Sequence, residues 1–398
     1  MKLADLATRE NFDNPYPFYE KLRAQGRFVR VAPTAVMCGH YDVVDSILHD
    51  RRFGKSYLES VRVRYGDDAP QMKLFQGFSR MFLLLNPPMH TRLRGLMMQA
   101  FNARQVEAMK DVARRSCHEL IDAFAHDETA DITRQFAFPL PVGIIGRMLD
   151  IPVEDAITLG AAASCVAKVF DPAPITPEDL VRATAAYDEL ERYFIGVIDA
   201  RRARTGDDLI SMLVTVEEHG EKLTQDEIVS NVILLFIGGH ETTSNMIGNA
   251  LIALHRHPEQ LALLKRDPSR MPNAVLECVR YDSPVQATIR TPLEHSEIDG
   301  VELTPDTSIF VMIGSANRDP AKFTHPDRLD IGRDEGRVQS FGAGIHHCIG
   351  YRLALIELET ALGVLLERLP DLELTELDNL SWNQRGNLRG VNSLVARW

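Results

Sequence analysis

The chain has 398 residues, 45% of them hydrophobic, enough to bury a large core as one big domain or two, and one large helical domain with a small sheet region is expected. Its 44 basic and 56 acidic residues leave a net charge of −12, which argues against a nucleic-acid ligand and for small molecules and proteins as partners. Five widely spread cysteines with no Cys-x-x-Cys pair exclude a disulfide scaffold and fit a reducing, cytoplasmic compartment.

The first ten residues hold no apolar signal-like run, and the apolar stretch 232–239 is far short of a membrane span, so a soluble protein is expected. Asn14-Pro15-Tyr16-Pro17-Phe18-Tyr19 opens a short helix, and residues 28–31 and 35–38 read as two strands around Pro33. Residues 41–49 return to helical spacing. Between Ser56 and Pro88 the periodicity is poor, and Met72, Leu74, Phe75, Phe78, Met81, Phe82, Leu83 and Leu84 accumulate without a clean face. Asn86-Pro87-Pro88 then starts a helix on which His90 and Arg94, four apart, point from one face, as two donors gripping one anionic group must and as an ordinary solvated charged face also would. Helical stretches follow at 103–124, 138–149, 152–169 and 177–204, with a break at Asp171-Pro172-Ala173-Pro174.

Thr224 with Glu227 three residues on is a capping box, and the largely apolar helix it opens runs to His255, about 40 Å at 1.5 Å per residue. Its middle reads Gly238-Gly239-His240-Glu241-Thr242-Thr243. Two glycines inside a helix cost about 1 kcal/mol each, so they predict a local opening or the close approach of something large. The acid and alcohol that follow can relay protons. Glu277 and Arg280, three apart, can pair on one helix face. Residues 284–313 alternate and turn at Asp299-Gly300 and Pro305-Asp306, which predicts a small sheet with Arg290 in its first strand; the last strands, in 385–397, are expected to return a tip near Asn387-Leu388-Arg389-Gly390 to the ligand pocket.

The ten residues from Phe341 to Gly350 carry three glycines and end in Cys348-Ile349-Gly350. Glycine combines positive φ with no Cβ, which lets backbone approach a flat ligand. Residues 351–369 read as a helix, whose first N–H groups favour a thiolate over a thiol at Cys348. A thiolate in such a loop reads as a proximal haem ligand. A buried core thiol, a hydrolase nucleophile and a zinc ligand use the same residue types and stay open on this stretch alone.

Phe341, Gly342, Gly344, His346, Cys348 and Gly350 together form a pattern that resembles the haem loop of the cytochrome P450 monooxygenases, with Ile349 where leucine is usual. Gly238-Gly239-His240-Glu241-Thr242 resembles the family's oxygen-activating motif. Glu277 and Arg280 resemble its buried ion set, and Arg328 in Pro326-Asp327-Arg328-Leu329 matches the third member. The resemblance implies a mainly α fold with a small β region (28–38, 284–313 and 385–397), as one domain over 1–398, with a long central helix over a haem and a cysteine-ligand loop. It implies haem b (iron protoporphyrin IX) with Cys348 on the iron, His90, Arg94, Arg290 and His346 on the propionates, and Glu241 and Thr242 as the proton path. Phe78, Phe82, Leu83, Leu235, Val285, Ala287, Thr288, Ile289 and Leu388 are implied as substrate lining, and the break at 171–174 as a lid.

The expected reaction inserts one oxygen atom of O2 into an apolar, medium-sized organic substrate, as a hydroxylation or epoxidation in secondary metabolism. Hydroxylation of a fatty acid, acyl chain or xenobiotic is the alternative. Soluble members of the family draw electrons from NAD(P)H through a reductase and a ferredoxin, and no segment is left here for a flavin or iron–sulfur cluster. Arg104, Arg114, Arg115 and Arg352 offer a basic docking face, and a monomer is expected. A peroxygenase on this fold lacks the acid–alcohol pair, a haem sensor or carrier needs no proton relay, and a thiol hydrolase lacks the Glu277-Arg280-Arg328 set.

Overall fold

The structure, a computed structural model, describes residues 1–171, 175–218 and 220–398. The expected lid at 171–174 therefore falls, beyond Asp171, outside the described residues. Two compact units are present, one made of residues 1–54, 110–140 and 242–398, the other of residues 55–109 and 141–241. Both are mainly helical. The helices that carry candidate residues are α1 (Met89–Ala100), α2 (Val153–Ala167), α3 (Gln225–Arg256), α4 (Met271–Tyr281) and α5 (Tyr351–Arg368). Among the described residues no single helix is long and apolar enough to cross a membrane.

In the first unit, β1 (Val29–Ala32), β2 (Ala35–Cys38), β3 (Phe53–Gly54), β4 (Thr288–Pro292) and β5 (Ser308–Val311) form one sheet in the order β1-β2-β5-β4-β3. β5 runs parallel to β2 and antiparallel to β4, with Ile309 opposite Arg290. Successive strand residues point to opposite faces, so both faces are covered. Val36, Cys38, Ile309 and Val311 pack with Val43, Val44 and Ile47 on one side. Ala35, Met37 and Phe310 pack with Phe18, Tyr19 and Leu22 on the other. The turn predicted at Asp299-Gly300 joins Ser296–Ile298 to Val301–Leu303, and both turn residues have positive φ (53° and 75°), as a two-residue hairpin loop requires.

Residues 385–397, read with 28–38 and 284–313 as the small β region, pair in two places. Leu388 bridges Val285, with the Gln286 N–H donating to the Asn387 carbonyl (2.8 Å) and the Arg389 N–H to the Pro284 carbonyl (2.7 Å), while Val395–Arg397 pairs with Thr129–Asp131 and Glu373–Leu374 in a separate three-stranded sheet. Asp131 draws the chain there by accepting from Ser393 Oγ (2.8 Å) and the Leu394 N–H (3.1 Å).

In the second unit the helix Pro177–Ala203 packs against α2 and against Lys73–Phe78. A side chain at Gly77 would collide with the buried Tyr187 hydroxyl, so the glycine lets these helices close. Phe78 stacks on Tyr57 at 6.2 Å and Phe170 at 4.8 Å and meets Tyr187 edge-on. Its ring is fully enclosed and acts as core of this unit. The capping box opens α3 as read: the Thr224 N–H donates to Glu227 Oε2 (2.8 Å) and the Glu227 N–H to Thr224 Oγ1 (3.2 Å). The helix then runs for 32 residues without a break through both glycines.

Candidate active site

The cysteine loop belongs to the first unit. It closes on itself where the Cys348 N–H donates to the Phe341 carbonyl (2.9 Å) and the His347 N–H to the Gly344 carbonyl (3.1 Å). Gly342 and Gly344 have positive φ (65° and 62°). A Cβ at Gly344 would strike the Leu48 carbonyl, so this glycine is demanded by packing on the end of the helix Tyr41–His49. Gly350 is the N-cap of α5, and a Cβ there would sit 3.9 Å from Cys348 Sγ, so the sulfur lies beside the helix start. Phe341 packs edge-on against Tyr351 at 4.7 Å and so ties the loop's first residue to the first turn of α5. Cys38, Cys117 and Cys278 are buried, with thiols pushed up by desolvation, Cys38 and Cys117 to about 12. Cys348 is half-exposed.

Arg290 on β4 is 3% exposed. Its guanidinium donates to the Ile289 carbonyl (3.1 Å) and Thr288 Oγ1 (3.4 Å), and among the described residues no carboxylate pairs with it. Burial pulls it down to about 10, which still leaves it charged at neutral pH. A buried cation of this kind calls for an anion from outside the chain. Of the other expected lining residues in this unit, Ala287 and Leu388 are buried and Val285, Thr288 and Ile289 half-buried.

His90 and Arg94 belong to the second unit, one turn apart on α1. His90 is buried, and the Arg94 guanidinium lies 5.9 Å from the Phe82 ring centroid. Leu235 is buried and Leu83 half-buried. In the middle of α3, where residues 228–237 are all buried, Gly238 is exposed, and a Cβ there would meet nothing within 4 Å. The helix runs without a break through both glycines, so of the two consequences expected of them a local opening of the helix is not seen. A Cβ at Gly239 would meet Ile145 at ordinary contact distance. Thr242, one turn after Gly238 on the same face, and Glu241 are both half-exposed.

His240 was not singled out by sequence, and nothing but its position between the glycines and Glu241 marked it. It is fully buried, and its Nδ1 stands 2.6 Å from the Phe236 carbonyl. A carbonyl only accepts, so Nδ1 carries the proton and Nε2 accepts from Ser164 Oγ of α2 at 3.3 Å. Burial holds the imidazole neutral, down to about 4 from its ordinary 6.5. Between those values the unfolded chain takes up a proton that the folded chain refuses, so stability falls as pH falls. The loss reaches about 3 kcal/mol by pH 4. Urea unfolding between pH 7 and 4 is expected to show this slope in the wild type and a flatter one in His240→Gln.

The ion set lies in the first unit. Arg280 forks onto Glu277 with Nε to Oε2 (2.7 Å) and Nη2 to Oε1 (2.8 Å). The second arginine is Arg333, whose Nε donates to Glu277 Oε1 at 3.1 Å. The assignment of Arg328 is thus corrected: its side chain is exposed, and only its carbonyl takes part, accepting from Arg280 and Arg333. Of the basic residues read as a docking face, Arg104, Arg114, Arg115 and Arg352 are all exposed, and Arg114 pairs with Glu367 at 3.1 Å.

Residues 165–378 match the family model described as cytochrome P450. Cytochrome P450 133B2 of Xylella fastidiosa is 62% identical over 396 residues, covering 100% of this chain and 99% of that protein. This chain belongs to the cytochrome P450 family. Solved P450 structures agree along its length. The complex of P450BioI with an acyl carrier protein bearing hexadec-9Z-enoic acid superposes with a TM-score of 0.91 at 32% identity, covering 98% of this chain and 99% of that one. The cytochrome P450 PksS of the Bacillus subtilis bacillaene polyketide synthase gives 0.89 at 32% identity, with 98% of each chain covered. The family's haem fits the residues of this P450's first unit: Arg290 is a buried cation in need of an anion, and Cys348 is a half-exposed thiol at a helix start.

Proposed function

We propose that this P450 monooxygenase oxidises an apolar, medium-sized organic substrate in a secondary-metabolite tailoring step, with Cys348 as iron ligand and His90, Arg94, Arg290 and His346 on the haem propionates. The observation that carries the reading is the half-exposed Glu241–Thr242 pair following the open face at Gly238. Bound haem with a thiolate ligand supplies dioxygen activation, since the electron-rich sulfur favours O–O cleavage. The chain's own part is proton delivery and exclusion of water. Glu241 takes protons from solvent on its carboxylate and passes them to Thr242 Oγ1, whose hydroxyl presents them on the distal side. Cys348 stays a ligand and never acts as a nucleophile.

Aliphatic side chains at Leu83, Leu235, Val285, Ala287, Ile289 and Leu388, with Thr288 as the one hydroxyl among them, support an apolar substrate. The likeness to a polyketide-synthase P450 supports secondary metabolism. A second reading, oxidation of a fatty-acyl chain on a carrier protein, is favoured by the acyl-carrier complex among the solved relatives. Electrons are proposed to come from NAD(P)H through a reductase and a ferredoxin.

Optical titration of the holoprotein separates the two substrate classes. A spin-state shift with polyketide lactones and none with hexadec-9-enoic acid, free or carrier-bound, supports the first reading; the reverse pattern supports the second. With whichever compound binds, Thr242→Ala is expected to keep the shift and to release more peroxide per NAD(P)H consumed, several-fold over wild type. Unchanged coupling would remove Thr242 from the path and leave Glu241 to act through water.

A further inference from the structure

Asn231 lies seven residues before Gly238 on α3 and is fully buried. Asparagine is a poor choice inside a helix, because its side chain competes for backbone hydrogen bonds. Here those bonds are directed elsewhere. Asn231 Oδ1 accepts from the Phe82 N–H at 2.9 Å, and Nδ2 donates to the Arg80 carbonyl at 3.0 Å and to the Glu227 carbonyl, one turn back, at 2.8 Å. A carbonyl at one residue and an N–H two residues later are the pair that a neighbouring strand would satisfy. One side-chain amide does this work for residues 80–82, a segment that pairs with no strand among the described residues.

What the amide holds is specific. Met81 and Phe82 are buried between the two bonds, Leu83 and Leu84 follow half-buried in a single 3-10 turn, and the Phe82 ring lies against the Arg94 guanidinium. Two ion pairs flank the clamp: Arg80 with Asp226 at 3.5 Å, and Arg92 of α1 with Glu227. Leu235 and Gly238 continue the face of α3 that Asn231 begins. We propose that Asn231 is a positioning residue through which the central helix sets the 80–84 segment and so determines which ligands the distal side admits. The inference rests on the P450 reading and deepens it.

Asn231→Leu removes all three bonds at nearly constant size. Asn231→Asp keeps acceptance from Phe82 but sets a carboxylate against two carbonyls. Wild type and both variants are purified with haem and reduced under carbon monoxide. The red-shifted Soret band in the wild type checks the haem reading separately from this one. The variants are expected to retain that band and to bind imidazole as the wild type does, while affinity for 4-phenylimidazole changes about tenfold, the scale of losing one hydrogen bond. Exchange of amide hydrogens in a peptide covering residues 79–85 is expected to accelerate in both. Unchanged 4-phenylimidazole binding with the band intact would overturn the proposal. Failure of both variants to form holoprotein would also overturn it, since Asn231 would then serve the fold as a whole.

Discussion

Cys348→Ala protein is expected to fold, to lose the red-shifted Soret band that the reduced wild type gives with carbon monoxide, and to fall below detection in substrate turnover. Folding survives because the loop is held by backbone bonds, Cys348 N–H to the Phe341 carbonyl and His347 N–H to the Gly344 carbonyl, and by the packing of Gly344 on Leu48. None of these needs the sulfur. The other cysteines of this unit cannot replace it: Cys38, Cys117 and Cys278 are buried, and desolvation holds each as a thiol. A thiolate ligand also needs local stabilisation, which the start of α5 supplies only to a sulfur lying beside Gly350. Persistence of the band in Cys348→Ala would move the ligand to another residue and undo the proposed site.

Much of this arrangement was legible because its signals are local. The capping box at Thr224 and Glu227 and the hairpin at Asp299-Gly300 each act within a few residues, and each has its predicted consequence in the structure; the glycines around Cys348 take the positive φ that their spacing suggested at Gly342 and Gly344. What stayed hidden depends on partners far along the chain. Phe53–Gly54, Thr129–Asp131 and Glu373–Leu374 are strands of two or three residues, too short to alternate, and exist only because β4 or Val395–Arg397 lies beside them. Asn231 looked like an ordinary helix residue, since its meaning lies in carbonyl and amide groups about 150 residues earlier. Glu227 was read as half of a capping box, which it is, but its bond to Arg92 could not be seen from that spacing.

The misassigned arginine shows how a pattern can mislead where side-chain direction decides, and it leads to the second large effect. Leu329 and Ile331 are buried while Arg328, Asp330 and Gly332 are exposed, so the segment alternates. That parity turns Arg333 inward with the leucine and isoleucine and turns Arg328 out. Asn273 holds the register by donating to the Ile331 (2.6 Å) and Arg333 (3.2 Å) carbonyls. Glu277 thereby receives Arg280, Arg333 and the Asp330 N–H (3.0 Å). Arg280 also donates to the Asn317 (2.8 Å) and Pro326 (2.9 Å) carbonyls, which ties α4 to the segment leading to the cysteine loop. Glu277→Ala leaves two buried arginines without their carboxylate, a loss of about 3–5 kcal/mol. Such a loss is a large share of a domain's stability, so little holoprotein should accumulate. Arg333→Ala is expected to cost a large part of the same amount, because Glu277 keeps only one of its two cations. Arg328→Ala should stay within about 0.5 kcal/mol, as an exposed side chain with no partner in the set. Urea midpoints of the three variants check the order directly. An Arg328→Ala loss equal to that of Arg333→Ala would restore the assignment that spacing alone had suggested, and would mean that the alternation from Leu329 to Arg333 does not hold in solution.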